Sequence, residues 1–286
     1  MISPADLILN PDGSVYHLGL RPEHLADTVL TVGDPERVAQ VSQHFDRIEF
    51  QTQKREFVTH TGWLGKKRLT VISSGMGTDN VEILMTELDA LVNVDLTQRT
   101  PHPTLRALNV VRLGTSGALH ADLPIDSLLV SAQAVGLDPL TQFYDFPQEA
   151  HERALGEALQ RHLDLSFRPY VVAGSARLQE KLASDLTPGL TLTCPGFYAP
   201  QGRHVRLAPR PTDLLERYRT FGWQRQRLTN FEMETAGYYA LGRLLGHEVL
   251  SVNALVANRA NDQFSTQPGT TVERMIRRVL ERFSAD

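Results

Sequence analysis

Along the chain, short apolar runs alternate with longer amphipathic segments, the pattern of an α/β protein. Thr28 to Val32 is a run of apolar and β-branched residues that reads as a buried strand and stops at Gly33-Asp34-Pro35. Proline has its φ preset and lacks only an N–H that a first turn leaves unbonded, so Pro35 can open a helix through about Phe45. Glu56 to Leu64 reads as a second strand, turning at Gly65-Lys66. Leu69 to Ile72 is a buried strand that ends in Ser73-Ser74-Gly75-Met76-Gly77. Thr78 or Asp79 is expected to cap a helix carrying Val81, Ile83, Leu84, Leu88 and Leu91 at helical spacing.

Further on, Ala107 to Leu113 predicts a strand ending in Gly114-Thr115-Ser116-Gly117, and Ser127 to Val130 another. His151 to Leu163 reads as helix, Tyr170 to Val172 as strand and Thr235 to Leu245 as helix. Glu248 to Ala257 reads as strand, and Val272 to Phe283 as a closing amphipathic helix. The repeated unit is strand, Gly-rich or polar turn, helix. In sheets of this kind ligands gather beyond the carboxyl ends of the strands, so the turns are where function is sought.

Composition narrows the partners. The 286 residues are 41% hydrophobic and 22% charged, ordinary for a globular protein and compatible with one large domain or two modest ones. There is no internal repeat and no linker that would cut the chain. Twenty-nine basic residues against 33 acidic ones give a net charge of −4. That balance lacks the cationic excess with which proteins hold nucleic acid or anionic membranes, so neither is expected as a partner. No stretch approaches the roughly 18–20 apolar residues that span a bilayer, and the N-terminus lacks a basic leader with an apolar core. A single cysteine, Cys194, excludes an internal disulfide, fits a reducing compartment and reads as a small buried apolar residue. The scattered histidines show no zinc-type spacing, so no metal is expected. The expected location is cytoplasmic.

Four turns carry candidate chemistry, and each has a plainer alternative. Gly33-Asp34-Pro35-Glu36-Arg37 offers free N–H groups, a helix dipole and a guanidinium to an anion, or is simply a strand-to-helix turn. Arg112 stands near the end of an otherwise apolar strand, where a charge must be paired or meet an anionic ligand. Phe197 to Arg203 sets an amide, Gln201, two residues before a guanidinium, Arg203. The pair suits the edge of a planar heterocycle with Phe197 on its face, or is a polar surface loop. Glu232 and Glu234 can serve sugar hydroxyls or favour a helix start, and paired acids also fit glycoside hydrolysis. Gly75-Met76-Gly77 resembles part of a dinucleotide fingerprint, but Asn80 occupies its third glycine position, so no nicotinamide cofactor is expected.

Taken together, the motifs resemble those of the nucleoside phosphorylase family, in its uridine phosphorylase branch. The landmarks run in family order: Tyr16-His17-Leu18-Gly19-Leu20, Gly33 to Arg37, Arg55-Glu56-Phe57, Arg112-Leu113-Gly114-Thr115-Ser116-Gly117, Phe197 to Arg203, and Phe231-Glu232-Met233-Glu234. They cover about residues 16 to 260. Each is short; six in order are specific.

The resemblance implies a single α/β domain around a central mixed sheet flanked by helices, assembled as a homodimer and often as a hexamer, a trimer of dimers. It implies reversible phosphorolysis of a nucleoside to free base and ribose 1-phosphate, with inorganic phosphate as co-substrate and no other cofactor. By the same resemblance Gly33, Arg37, Arg112 and Thr115 bind phosphate, joined by Arg55 from a neighbouring subunit. His17, also lent by the neighbour, holds the ribose 5′-hydroxyl, while Met233 and Glu234 hold the other sugar hydroxyls. Phe197 packs on the ligand, Gln201 and Arg203 bind the uracil edge, and Arg259 reaches the base through water. The catalytic set is then Arg112, Gln201, Arg203 and Glu234.

The sequence departs from the family at several points. Thr78-Asp79-Asn80 replaces the small or Pro-Ser sequence of some relatives, so no potassium site is assigned. Pro200 stands where many relatives have glycine, which stiffens the base loop. Cys194-Pro195-Gly196 and the segment from Leu137 to Gln148 are individual. Purine-directed relatives carry a Ser-Asp pair where this chain reads Ala257-Asn258-Arg259, and water-using nucleosidases need no arginine cluster. A purine phosphorylase or nucleosidase of the same fold, and a non-catalytic nucleoside-binding protein, are the rival readings.

Overall fold

Thr28–Val32 forms β1, buried along its whole length between parallel neighbours on both sides. The computed structural model describes residues 1–284. After β1 come α1 (Pro35–Ser42), β2 (Arg47–Lys54), β3 (Phe57–Leu64), β4 (Lys67–Ser73) and α2 (Thr78–Asn93). The middle of the chain gives β5 (Asn109–Ala118), β6 (Leu128–Gly136), α3 (Ala150–Leu163), β7 (Tyr170–Ala173), α4 (Ala176–Ala183) and β8 (Thr187–Thr193). It ends with α5 (Leu214–Thr220), β9 (Gln226–Glu232), α6 (Thr235–Leu245), β10 (Glu248–Asn258) and α7 (Pro268–Ser284). Among the described residues no helix is long and apolar enough to cross a membrane.

The strands form one mixed sheet in the order β9-β8-β6-β10-β5-β1-β4-β3-β2, with β7 added beside β6. β5 lies parallel to both β1 and β10, yet its far end also pairs antiparallel with β9, Gly117 opposite Phe231 and Ala118 opposite Asn230. Strands β9, β8, β6, β10 and β5 therefore close on themselves, and the rest of the sheet extends from β5 as an open wing. This is the α/β architecture around a mixed sheet that the sequence implied.

Helices cover both faces because each offers one apolar stripe. Leu84, Leu88, Tyr238 and Tyr239 of α2 and α6 pack on one side, and Val38, Leu178, Leu182, Met275 and Val279 of α1, α4 and α7 on the other. A third cluster joins α3 and α5 to the closed strands through Leu155, Leu159, Tyr218, Leu192 and Phe231. Cys194 lies in that cluster, fully buried, as its apolar reading predicts.

Several boundaries differ from the sequence reading. α1 stops at Ser42 rather than near Phe45. The strand expected from Glu56 begins at Phe57, because Arg55 takes a left-handed φ of 55° and turns the chain. β5 does not end at Leu113 but continues through Gly114-Thr115-Ser116-Gly117 to Ala118, since β10 and β9 supply partners along that length. α2 is capped by neither Thr78 nor Asp79: Gly77 holds the cap position and its N–H donates to Glu234. β2, α4, β8, α5 and β9 were not anticipated.

Closure depends on how near β9 can approach β5. A Cβ added at Gly117 would stand 2.9 Å from Cε2 of Phe231, so only glycine lets that ring lie against the strand. Gly117→Ala should therefore lower stability by about 1–3 kcal/mol through overpacking. Urea denaturation measures this; an unchanged midpoint would show that the seam is looser than described.

Candidate active site

The turns after β1, β4 and β8 meet the ends of β5, β9 and β10 around one cleft of about 560 Å³. Of the residues singled out from sequence, Gly33, Arg37, Arg112, Thr115, Phe197, Gln201, Arg203, Met233 and Glu234 all line it. Positions 33 and 234 are thus brought together by topology alone.

Its floor is an ion-pair knot. Arg112 is 4% exposed and Nη2 reaches Glu234 Oε2 at 2.5 Å and Glu232 Oε2 at 3.0 Å. Its Nη1 donates to Asn253 Oδ1 at 3.2 Å and Ser251 Oγ at 3.3 Å. The side chain folds back over its own strand: a Cβ at Gly114 would sit 1.8 Å from Nη1. The spacing Arg112-Leu113-Gly114 is therefore a packing requirement. Burial alone would loosen the proton of Arg112, but the two carboxylates outweigh it and hold the guanidinium charged.

The two acids do different work. Glu232 accepts from the backbone N–H groups of Glu234 and Thr235 and from the Thr193 hydroxyl, so it caps α6 and fixes the turn. Glu234 instead accepts from Gly77 N–H at 2.8 Å and from Arg112, facing the cleft. Burial raises its pKa, opposed by the nearby Arg112 charge. The helix-start reading of the acid pair thus holds for Glu232, while Glu234 is left in the lining of the cleft. For Arg112 the structure shows the paired charge, and the pair lines the cleft.

Beside this floor, Asp34 caps α1 by accepting from Glu36 N–H at 3.0 Å, and Pro35 opens the helix as expected. Arg37, one turn in, makes one long hydrogen bond to the Leu113 carbonyl at 3.4 Å. Burial lowers its pKa, and the charge of Arg112 contributes in the same direction. Two guanidinium groups, a hydroxyl at Thr115 and the glycine backbone at Gly33 make this end fit for an anion.

At the other end, residues after β8 build an aromatic and amide hook. Ala199–Gln201 is a short 3-10 turn with Pro200 inside it, pinned by Tyr218 Oη donating to the Pro200 carbonyl at 2.8 Å. Gln201 is 3% exposed and its Oε1 accepts from Arg203, whose Nη1 also donates to the Phe197 carbonyl at 2.6 Å. The Arg203 guanidinium lies 3.7 Å from the Phe197 ring centroid and 5.7 Å from that of Phe231. Burial, followed by the charge of Arg259, pushes its pKa down to about 10. Arg259 is outside the lining, yet its Nη1 donates to the Gln201 carbonyl at 3.4 Å and its guanidinium faces Phe231 at 6.0 Å.

Besides Arg259, two expected residues lie outside the lining of this cleft. His17 Nδ1 is 2.6 Å from Glu87 Oε1, and the backbone N–H groups of His17 and Leu18 donate to the same carboxylate. Arg55 lies with its guanidinium 5.8 Å from the Tyr16 ring. Both belong to one surface cluster outside the lining of the cleft in their own chain. Conversely, Ser116, Phe231, Glu56, Met76 and Phe264 line the cleft without having been assigned. The first three lay inside motifs already noted; Met76 sat in the glycine turn set aside as a weak fingerprint, and Phe264 gave no signal.

The geometry joins two guanidinium groups and a hydroxyl at one end of the cleft, a buried carboxylate on its floor, and an amide beside a further guanidinium at the other end. Comparison with known proteins places the chain in a family. The model of the phosphorylase superfamily matches residues 27–285. A uridine phosphorylase of Thermococcus kodakarensis is 27% identical over 256 residues, 88% of this chain and 80% of that protein. A DeoD-type purine nucleoside phosphorylase of Thermoanaerobacter is 24% identical over 262 residues, 90% of this chain and 91% of that one. Among solved structures, a Trypanosoma brucei nucleoside phosphorylase described as showing uridine phosphorylase activity superposes with a TM-score of 0.89. It is 25% identical and covers 98% of this chain and 100% of its own. The chain is an enzyme of the phosphorylase superfamily.

Proposed function

We propose that the cleft carries out reversible phosphorolysis of a pyrimidine nucleoside, uridine foremost, to free base and ribose 1-phosphate. Relatives named for uridine and for purine nucleosides support nucleoside phosphorolysis; the choice of pyrimidine rests on the Gln201–Arg203 hook. Asn258 strengthens it. Purine-directed relatives typically place an aspartic acid there to protonate the leaving ring, whereas Asn258 is buried and spends its side chain on the carbonyls of His120 and Leu123 and the N–H groups of Ala260 and Asn261.

In this reading Arg37, Arg112, Thr115 and the Gly33 backbone orient the phosphate beneath the sugar. Glu234 and Met233 hold the ribose hydroxyls. The glycosidic C–N bond breaks as positive charge grows on the sugar and negative charge on the base. The phosphate dianion stabilises the first and then bonds to the anomeric carbon; the donors at Arg203 and Gln201 stabilise the second, which lowers the barrier where charge develops. The base leaves as an anion and takes a proton from water. Nothing in these steps calls for an organic cofactor or a metal, and inorganic phosphate is the co-substrate.

Uracil presents O2, N3–H and O4 along one edge. Arg203 only donates, so it meets a ring oxygen; Gln201 Oε1 keeps a second lone pair for N3–H, and its amide donates to the remaining oxygen. Cytosine has an amino group in place of O4 and no proton on N3, leaving a buried group unpaired. Uridine should exceed cytidine by at least about tenfold in kcat/KM, and Gln201→Ala should erode that ratio. Absorbance assays with uridine, cytidine and inosine, with and without phosphate, check it. Equal efficiencies would refute the base assignment. Inosine cleavage without uridine cleavage would favour the purine reading, and binding without phosphate-dependent turnover would favour a passive binder.

The same reading makes the active unit a homodimer, a hexamer being a trimer of such dimers. His17 and Arg55 stand together outside their own cleft, as side chains lent to a neighbour would. Subunits inactivated by Arg55→Ala, mixed with subunits inactivated by Glu234→Ala, should recover activity in heterodimers. Full activity of isolated monomers at high dilution would contradict this arrangement.

A further inference from the structure

The five strands that close on themselves enclose a line of polar side chains, one from each strand in turn, and every one is buried. Arg112 of β5 donates to Asn253 Oδ1 of β10 at 3.2 Å, and Asn253 Nδ2 donates to Ser131 Oγ of β6 at 2.9 Å. Ser131 Oγ and Thr191 Oγ1 of β8 are 2.6 Å apart; Thr191 Oγ1 donates to Asn230 Oδ1 of β9 at 2.9 Å. Asn230 Nδ2 then donates to Ser116 Oγ at 3.0 Å, which returns the line to β5. Ser131, Thr191, Asn230 and Asn253 are wholly inaccessible to solvent.

This belt has a direction, fixed at one end. A guanidinium has donors and no acceptor, so the Asn253 atom facing it must be the oxygen. Its amide group is then the donor to Ser131, which has its own proton left for Thr191. Thr191 passes its proton to the Asn230 oxygen, which leaves the Asn230 amide to donate to Ser116. Each step follows from the one before. Ser116 Oγ is therefore an acceptor towards the belt, and its hydroxyl proton has no acceptor among the described residues. Ser116 is 5% exposed and lines the cleft, one residue before Gly117, on which the ring of Phe231 rests.

We infer that Ser116 is a substrate-binding residue, a donor of fixed polarity to an oxygen of the nucleoside base, with Asn230, Thr191, Ser131 and Asn253 as positioning residues that transmit the orientation from Arg112. The inference rests on the nucleoside reading of the cleft and extends it. Because the Ser116 proton is directed into the cleft before a ligand arrives, it meets the growing negative charge on the leaving base with no rotor to reorganise. A serine free to turn would give the same contact more weakly.

The test is the kcat/KM of Ser116→Ala, Ser116→Thr and Asn230→Asp on uridine and inosine at saturating phosphate, with KM for phosphate measured separately. Ser116→Ala should lose about tenfold in kcat/KM for the nucleoside that is turned over, with phosphate KM unchanged, and Ser116→Thr should restore most of it. Asn230→Asp replaces the donor facing Ser116 with an acceptor, so Ser116 must turn its proton away from the ligand. That variant should match the loss of Ser116→Ala, and the double variant should lose no more than either. Wild-type efficiency in Ser116→Ala overturns the inference, whichever nucleoside is cleaved. If neither nucleoside is cleaved, the function reading fails by itself, and Ser116 is judged by calorimetry with uridine. A several-fold weaker Kd in Ser116→Ala would uphold its role; equal Kd values would overturn it.

Discussion

A guanidinium sealed inside a protein must have its charge matched where it sits, and the cleft is organised around that requirement at Arg112. Glu232 and Glu234 stand at 3.0 Å and 2.5 Å from one nitrogen, while the other binds Asn253 and Ser251. Removing one partner of such a buried pair typically costs about 3–5 kcal/mol, because the other charge is left without compensation. Much of the local structure serves this one group. Gly114 clears the space its side chain folds into, the Glu232 carboxylate caps α6, and the Gly77 N–H at the start of α2 secures Glu234.

That arrangement joins stability to function. Of the two carboxylates on Arg112, Glu232 accepts from the backbone at the start of α6, while Glu234 accepts from Gly77 N–H and lines the cleft. On the proposed reading an incoming anion competes with Glu234 for Arg112, whose charge stays matched by Glu232. The closure of β5 onto β9 sets the hook of Gln201 and Arg203 in the same cleft as Arg37 and Arg112, as the proposed phosphorolysis requires. Burial, and after it the charge of Arg259, lowers the proton affinity of Arg203.

Much of this was legible in the sequence because burial leaves a mark. β1 and β4 are continuous apolar or β-branched runs, and α2 and α7 carry apolar residues at helical spacing. β2 was not legible because most of Arg47–Lys54 faces solvent and its apolar residues do not alternate cleanly. β8 begins with Thr187-Pro188-Gly189, which reads as a turn, although the sheet places it between β6 and β9. Spacing placed Glu232 and Glu234 near a helix start but could not divide their roles, since that depends on Arg112, more than a hundred residues earlier. The extension of β5 past Gly114 was hidden for the same reason: its partners are distant in sequence. His17 and Arg55 carried a motif signal, yet the single chain keeps them outside its own cleft.

The central claim is that Arg112 is shared between Glu234 and the incoming anion, so the two compete for its donors and the carboxylate charge repels phosphate. Calorimetric titration of inorganic phosphate into wild type and Glu234→Gln, without nucleoside, tests this most directly. The account predicts that Glu234→Gln binds phosphate at least as tightly as wild type, while its KM for nucleoside rises. A Glu234→Gln protein that is folded but binds phosphate markedly more weakly would contradict it.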